Sequence, residues 1–202
     1  MKKLIFTVTT ILILTLIISV IPTESEAQIY DDTVRLHILA RSDSDEDQKT
    51  KLEIRDRLLK KYGNILASYK TVNEANAALA DLVDEINSDI DAWLVELGCD
   101  YTAEVVIGEE WYDTREYEGF TLPKGVYSSL RVILGGGEGK NWWCVMFPPM
   151  CLDVALENAP PDDGAISYTE AETRLITKDG YFIKFKLLEL ASEMVEKLSR
   201  KG

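Results

Sequence analysis

The residues of this chain whose types and spacing could support chemistry are concentrated in one stretch. Residues 134–151 read LGGGEGKNWWCVMFPPMC, which combines glycines, a lysine, two adjacent tryptophans, two cysteines and two adjacent prolines. Such a stretch could form a phosphate-binding loop, a redox or metal site, or a surface that binds a partner. Each of these makes its own demand on residue type and spacing.

A phosphate-binding loop requires Gly, four residues, Gly-Lys, and then Ser or Thr, because its amides, lysine and hydroxyl bind phosphates and magnesium. Gly139 and Lys140 match the middle of this pattern. Leu134 stands where the first glycine belongs, and Asn141 stands where the hydroxyl belongs. We therefore predict that residues 135–139 form a hairpin turn between two strands and bind no phosphate.

His37 is the single histidine of the chain. A Ser-His-Asp site would need a serine and an acid beside it, and the sequence holds no G-x-S-x-G pattern. His37 shares a predicted strand face with Arg35 and Arg41, which favours a hydrogen-bonded histidine at the surface or rim. One histidine and three scattered cysteines lack the paired spacing of zinc ligands, so we expect no catalytic residue, metal or cofactor.

Carboxylates are grouped at two predicted helices, four at the start of the first and three along the second: Asp43, Asp45, Glu46, Asp47, Asp84, Asp89 and Asp91. Two of them could form an acid–base pair, and the first group could bind calcium. The first group lacks the spacing and the glycine of an EF-hand. Helix capping and solvated helix faces explain both groups more simply.

The three cysteines are Cys99, Cys144 and Cys151. Cys144 and Cys151 flank VMFPPM, and their sulfurs could meet in a disulfide if the two prolines turn the chain back. Connectivity does not follow from sequence, so this pairing stays open. Cys99 is the cysteine left over, and a buried free thiol is the simplest reading of it.

Trp142 and Trp143 are neighbours in a predicted strand, where successive side chains point to opposite faces. One is predicted to be a packing anchor, and the other is either covered by a helix or exposed as a contact. Exposed tryptophan beside rigid prolines is typical of protein-binding hot spots. The candidate partner-binding residues are Trp142, Trp143, Phe147, Pro148 and Pro149, with a second group of Arg35, His37 and Arg41.

The elements that would position these residues begin with a strand over residues 34–41, where apolar and polar residues alternate. Two helices are predicted next, from Ser44 to Gly63 and from Thr71 to Gly98, because each begins at a capping residue and ends at a glycine. The second helix carries an apolar stripe at helical spacing.

From residue 101 the hydrophobic period becomes two. Strands are predicted at YTAEVVIG, REYEGFTL, VYSSLRVILG and NWWCVMF, and their close spacing favours an antiparallel meander. Apolar residues from Ile183 to Leu198 predict a C-terminal helix. The predicted fold class is α+β: a mainly antiparallel sheet of about five strands, two long helices inserted after the first strand, and the C-terminal helix.

The chain begins with two lysines, an uncharged apolar run over residues 4–21 and the small-residue pattern around Ala27. This predicts a signal peptide over residues 1–27 that is cut between Ala27 and Gln28, although the run could also serve as an uncleaved anchor. Residues 28–202 are then expected to work outside the cytosol as a single domain. The formal charge of −13 argues against nucleic acid and anionic membranes as main partners, so the membrane is contacted only through the signal segment.

Three segments together resemble the stage II sporulation protein R family of endospore-forming bacteria: VRLHILARSDSDEDQKTKLEIRD, TREYEGFTLPKGVYSSLRV and LRVILGGGEGKNWWCVMFPPMC. They extend from Val34 to Cys151, over most of the exported part. Arg41 departs from the family pattern, where a small polar residue such as Asn is expected. This departure puts one contact in doubt and leaves the assignment intact.

The resemblance implies a secreted signalling protein that is not an enzyme. It would be made in the forespore and exported into the space between the forespore and mother-cell membranes. Its partner would be a membrane-embedded aspartic-type protease in the mother-cell membrane, which removes the pro-sequence of the pro-sigma-E transcription factor. The alternatives are an exported hydrolase that uses His37 or a carboxylate pair, and a cell-wall-binding module.

Overall fold

The computed structural model describes residues 29–117 and 120–148, together with single residues nearer the termini: Lys3, Phe6, Thr7, Thr10, Thr173, Ile176 and Thr177. The chain divides into two compact units. The larger unit comprises residues 30–112 and 126–168, and the smaller one comprises residues 1–29, 113–125 and 169–202.

Several predicted features lie outside the described residues and therefore stay predictions. They are the signal-peptide cleavage site between Ala27 and Gln28, the C-terminal helix and, with them, the extent of the exported domain over residues 28–202. Within the part of the chain that the structure describes, no helix is both long enough and apolar enough to cross a membrane.

The larger unit contains a four-stranded sheet with the order β2-β5-β1-β6. These strands are β1 (Val34–Leu39), β2 (Ala103–Tyr112), β5 (Gly125–Leu134) and β6 (Asn141–Phe147). The smaller unit contains the two-stranded hairpin of β3 (Arg115–Glu116) and β4 (Thr121–Leu122). The α+β prediction is confirmed, but REYEGFTL forms this short hairpin rather than one strand.

The sheet is mixed because β1 lies between β5 and β6. β1 runs parallel to β5, with Leu36 opposite Leu130, and antiparallel to β6, with Leu36 opposite Cys144. Gly135, directly after β5, donates its N–H to the carbonyl of Thr102, directly before β2, so these two strands run in opposite directions. The predicted meander is therefore wrong, since β5 and β6 follow each other in sequence but do not pair.

The first helical segment is longer than its sequence predicts. Helix α1 (Asp45–Leu58) begins as expected, with the Ser44 side chain accepting a hydrogen bond from the Asp47 N–H. It continues through a π-helical turn at Leu59–Gly63 into the short helix α2 (Asn64–Leu66). The prediction that Gly63 ends the helix is wrong, because Gly63 has helical backbone angles of φ −58° and ψ −42°.

Helix α3 (Val72–Glu96) confirms the predicted start and stop signals. Thr71 accepts a hydrogen bond from the Glu74 N–H, and the Glu74 carboxylate accepts one from the Thr71 N–H, which completes a capping box. Gly98 follows the helix with φ 77°, in the left-handed region that glycine adopts without strain.

Helices α1 and α3 cover one face of the sheet, called here the helix-side face. Ser128 of β5 donates to Asn76 of α3 at 2.6 Å, and the Arg55 guanidinium of α1 lies 5.1 Å from the Trp142 ring centroid. Between these polar contacts lies a dry core of fully buried aliphatic side chains: Val34, Leu36, Ile38, Leu130, Val132, Ile54, Leu58, Leu79, Ile86 and Ile90. Removal of this apolar area from water is the main stabilising contribution.

The glycine run is a crossing segment rather than the predicted hairpin turn. Residues 135–139 carry the chain from β5 past the end of β1, where Gly139 donates its N–H to the Ala40 carbonyl at 2.9 Å. A Cβ on Gly139 would lie 2.2 Å from the Ser42 carbonyl oxygen. Only glycine fits this close backbone approach, so the run is explained by topology.

Candidate functional site

The face of the sheet opposite the helices brings together the side chains with the most chemical capacity. Strand alternation sends every second residue of each strand to this side. Arg35 lies opposite Ser129, and His37 lies opposite both Arg131 and Trp143. We call this set the polar face: Arg35, His37, Glu110, Tyr112, Ser129, Arg131 and Trp143.

His37 occupies the centre of the polar face. Its Nδ1 lies 2.9 Å from Glu110 Oε1, and its ring stacks on Trp143 with the centroids 5.3 Å apart. Only 7% of the residue is exposed, and its Nε2 is buried without a hydrogen-bond partner among the described residues. The surface or rim position predicted for His37 is wrong, because His37 lies on the inner strand β1 and its ring is stacked against Trp143.

Glu110 connects the other polar groups to His37. Ser129 donates its hydroxyl to Glu110 Oε2 at 3.0 Å, and Arg131 Nη1 lies 3.8 Å from Glu110 Oε1. The Tyr112 hydroxyl lies 2.6 Å from Ser129 Oγ. Burial raises the pKa of Tyr112 above its ordinary value.

Arg35 is fully buried, with 0% of its surface exposed, although it is charged. Its Cζ lies 4.0 Å from the centroid of the Tyr112 ring and 5.0 Å from that of Tyr127. The faces of both rings attract the cation and replace part of its hydration. Arg35 and the equally buried Phe147 therefore present no surface to a partner, whereas Arg41 is exposed and pairs with Asp100 at 2.5 Å.

The arrangement around His37 restricts the chemistry available. A carboxylate that orients an imidazole is one half of a nucleophile–base system. The other half is a hydroxyl on the second ring nitrogen, but Ser129 donates to Glu110 instead. Among the described residues, no group of three His, Cys, Asp or Glu side chains could hold a metal ion. The geometry is that of a buried polar and aromatic network.

The two tryptophans point to opposite faces, as strand geometry requires. Trp143 stacks on His37 in the polar face, and Trp142 lies beneath Arg55 on the helix-side face. Both are half-buried, so each has a packing partner and an accessible part. Pro148 ends the described segment, and Pro149 lies outside it.

The acidic clusters have structural partners. Asp43 accepts a hydrogen bond from the Lys140 N–H at 2.7 Å, and Asp91 accepts one from the Ala103 N–H at 2.7 Å. Asp89 binds both Lys61 and Tyr62. These contacts connect the helices to neighbouring segments and give Asp43, Asp89 and Asp91 structural roles.

The cysteines differ in state. Cys99 is a half-buried free thiol, and Cys144 is bonded in a disulfide. Cys151 lies outside the described residues, so its pairing with Cys144 stays a prediction.

Glu110, Tyr112 and Ser129 were missed as site residues from sequence. The available signal was the alternation of Gly108, Glu110 and Tyr112 along β2, which places the acid and the phenol on one face. These residues lie near His37 because of the order of the strands in the sheet. That order cannot be predicted from the alternation of polar and apolar residues along a strand.

The fold and site define an α+β protein whose sheet carries a buried polar and aromatic network. The chain belongs to the stage II sporulation protein R family, whose model matches residues 30–156. It is 31% identical over 152 residues to Stage II sporulation protein R of Bacillus subtilis (strain 168), an alignment that covers 75% of this chain and 68% of that protein. No solved structure matches the chain. The resemblance in the sequence is confirmed, and it supports a role in sporulation.

Proposed function

We propose that this protein is an exported sporulation signal that activates a membrane-embedded aspartic-type protease, which then cleaves pro-sigma-E in the mother cell. The observation that carries the proposal is the family match over residues 30–156. The polar face is compatible with it, because Ser129 donates to Glu110 and so is not positioned for activation by His37. A binding role needs a stable surface and no reactive group.

Activation by binding requires that the protein bind the active state of the protease more tightly than the inactive state. We propose that this happens in the space between the forespore and mother-cell membranes. A tenfold shift of the protease equilibrium needs about 1.4 kcal/mol of differential binding free energy. A few contacts on one exposed surface can supply that amount.

Reconstitution tests the proposal directly. The full chain, the protease and pro-sigma-E are co-expressed in a host that lacks sporulation genes, and cleavage is followed by immunoblot. We expect cleavage only when all three proteins are present and the signal segment is intact. Cleavage without this chain, or no cleavage with it, would contradict the proposal.

The two tryptophans give a paired test of the contact surface. Trp143→Ala removes the ring that stacks on the buried His37, so it should lower the melting temperature. Trp142→Ala removes a half-buried ring whose described contact is the Arg55 guanidinium, so it should leave folding nearly intact and weaken activation. Equal destabilisation by both changes would show that both rings serve packing, and would move the contact surface elsewhere.

The second candidate function is an exported hydrolase, and the observation that favours it is the His37–Glu110 pair with an unpartnered Nε2. His37→Asn separates the two functions. Asn keeps a donor for Glu110 but cannot act as a general base at neutral pH. A hydrolase would lose all activity, whereas a binding protein would keep activity in proportion to its folded fraction.

A further inference from the structure

The outer edge of β2 is one of the two sheet edges that no strand covers in the described residues, the other being that of β6. β2 lies at one side of the sheet and pairs with β5 along its inner edge. Thr102 faces β5, since its carbonyl accepts from Gly135. In an antiparallel strand, alternate residues point their N–H and C=O groups to the same edge. The odd-numbered residues between 103 and 111 therefore direct their N–H and C=O groups away from the sheet.

Helix α3 closes one half of this edge. Asp91 Oδ1 accepts a hydrogen bond from the Ala103 N–H at 2.7 Å, and Asn87 Oδ1 accepts one from the Val105 N–H at 2.9 Å. Side chains that occupy edge donors prevent pairing with foreign strands. Beyond Val105, at Ile107, Glu109 and Trp111, no side chain of the described residues takes this position, and we call these three residues the open half of the edge.

The open half is flanked by apolar surface. Trp111 is 62% exposed, and Val126 of the neighbouring β5 is 47% exposed. Glu109, Val126 and Ser128 line the same cleft, which places the odd-numbered side chains of β2 beside the even-numbered ones of β5. Strand-binding sites combine unpaired edge groups, which give affinity through main-chain hydrogen bonds, with adjoining surface that receives alternate side chains of the added strand.

The charge around the open half is negative. The adjoining cleft of about 560 Å³ is lined by Asp31, Asp32 and Glu109, and its described lining includes no Lys or Arg. The chain as a whole carries a formal charge of −13. An occupant with positive charge is favoured here, and a negative one is repelled.

We propose that the open half of the β2 edge binds an extended basic segment of a partner protein by strand addition. The main chain of that segment pairs with Ile107, Glu109 and Trp111. A Lys or Arg beside Glu109 reaches the acidic cleft, and another lies over the Trp111 ring. A second copy of this chain is the poorer occupant, because it would bring the Glu109 carboxylates of the two copies together. The inference depends on the proposed function in one respect, which is that the basic segment belongs to the protease.

The binding test uses the processed protein purified from the reconstitution host, with two synthetic probes in isothermal titration calorimetry. One probe alternates Lys and Val over eight residues, and the other has the same charge but contains prolines that prevent strand formation. We expect saturable binding of the first and at least tenfold weaker binding of the second. Equal affinity for both would show charge attraction alone and overturn the strand-addition proposal.

Variants of the edge locate the site. Glu109→Pro removes an outward N–H without touching the bonds to β5, and Trp111→Ala removes an exposed ring. Each should weaken binding of the alternating peptide at least tenfold, with the circular dichroism spectrum unchanged. Glu104→Gln is the matched control, since it lies on the same strand beside the closed half and should bind as the wild type does. Wild-type affinity in a folded Trp111→Ala protein would overturn the assignment.

Two further readouts separate this inference from the proposed function. Failure of the wild-type chain to trigger pro-sigma-E cleavage would reject the proposed function, whatever the peptide does. Full cleavage with Glu109→Pro and Trp111→Ala would reject the edge as the contact with the protease. Sedimentation that shows a dimer of the wild type and a monomer of Glu109→Pro would assign the edge to a second copy and overturn the basic occupant.

Discussion

The two faces of the four-stranded sheet come from the same strands and hold different chemistry. On the helix-side face, β1 presents Val34, Leu36 and Ile38 to a dry aliphatic core. On the polar face, the same strand presents Arg35 and His37 to a carboxylate, hydroxyls and aromatic rings. The first face is held by non-directional burial, and the second depends on matched donors and acceptors.

This difference shows that the degree of burial does not by itself tell how a residue of a central strand is stabilised. Arg35 and Leu36 are both fully buried, but they are stabilised in different ways. An aliphatic side chain tolerates many neighbours of suitable volume, whereas a buried cation needs specific partners. The polar face should therefore tolerate fewer kinds of amino-acid substitution. The helix-side face should contribute more to the free energy of unfolding.

The largest effect is expected on the helix-side face. Leu36→Ala leaves a cavity between the sheet and the helices that cover it, and it should lower the free energy of unfolding by about 2–5 kcal/mol. Urea unfolding followed by circular dichroism measures the change. Leu52→Ala is the control, because Leu52 is 39% exposed and should change stability by less than about 0.5 kcal/mol. A small effect at Leu36 would contradict the description of this face as the main core.

The next largest effect is expected in the glycine segment, residues 135–139, which carries the chain from β5 to β6. Gly139→Ala places a Cβ against the Ser42 backbone and should cost about 1–3 kcal/mol of unfolding free energy. Gly136→Ala is the matched control in the same segment, since its Cβ would meet only the Glu138 side chain at 3.6 Å. Thermal unfolding of the two variants compares them, and equal melting temperatures would refute the close crossing past β1.

The polar face is tested by Glu110→Gln, which removes the charge that His37 and Arg131 face and replaces one acceptor oxygen with a donor. Loss of these charge-assisted contacts should lower the free energy of unfolding by about 1–3 kcal/mol. Glu104→Gln, on the same strand and exposed, should have almost no effect. If urea unfolding gives equal stabilities for the two variants, the network around His37 does not stabilise the fold.

The smallest effect is expected at the start of α1. A hydrogen bond from Ser42, supported by Ser44 and Tyr101, holds the pKa of Asp47 below its ordinary value. Because the folded-state pKa is lower than the unfolded value of about 3.9, protons bind the unfolded chain more tightly. This contribution to stability is present above about pH 4 and is lost as the pH falls through the folded-state pKa.

Asp47→Asn should therefore flatten the acid limb of the stability curve, measured as melting temperature between about pH 2 and 6. Asp45→Asn is the control, since Asp45 lies in the same helical turn and makes no hydrogen bond with the described residues. An acid limb that Asp47→Asn leaves unchanged would show that the Ser42 hydrogen bond does not contribute to folding.

Local signals in the sequence predicted the parts of the fold that depend on near neighbours. The capping residues Ser44 and Thr71 begin their helices as expected, and Gly98 follows the second one in the left-handed region. The opposite orientation of Trp142 and Trp143 also follows directly from strand geometry. The failure at Gly63 has a local cause, since a glycine without positive φ carries no stop signal.

By itself, the sequence determined the family, the α+β class and the helix and strand periods, because these depend on long motifs and on spacing of a few residues. The tertiary structure decided the strand order, with β1 inserted between β5 and β6. That order turned the glycine run into a crossing segment, buried His37 beside Glu110 and placed β2 at one side of the sheet. Pairing between distant strands depends on packing against the helices and on chain connections, and neither is encoded in the alternation of any single strand.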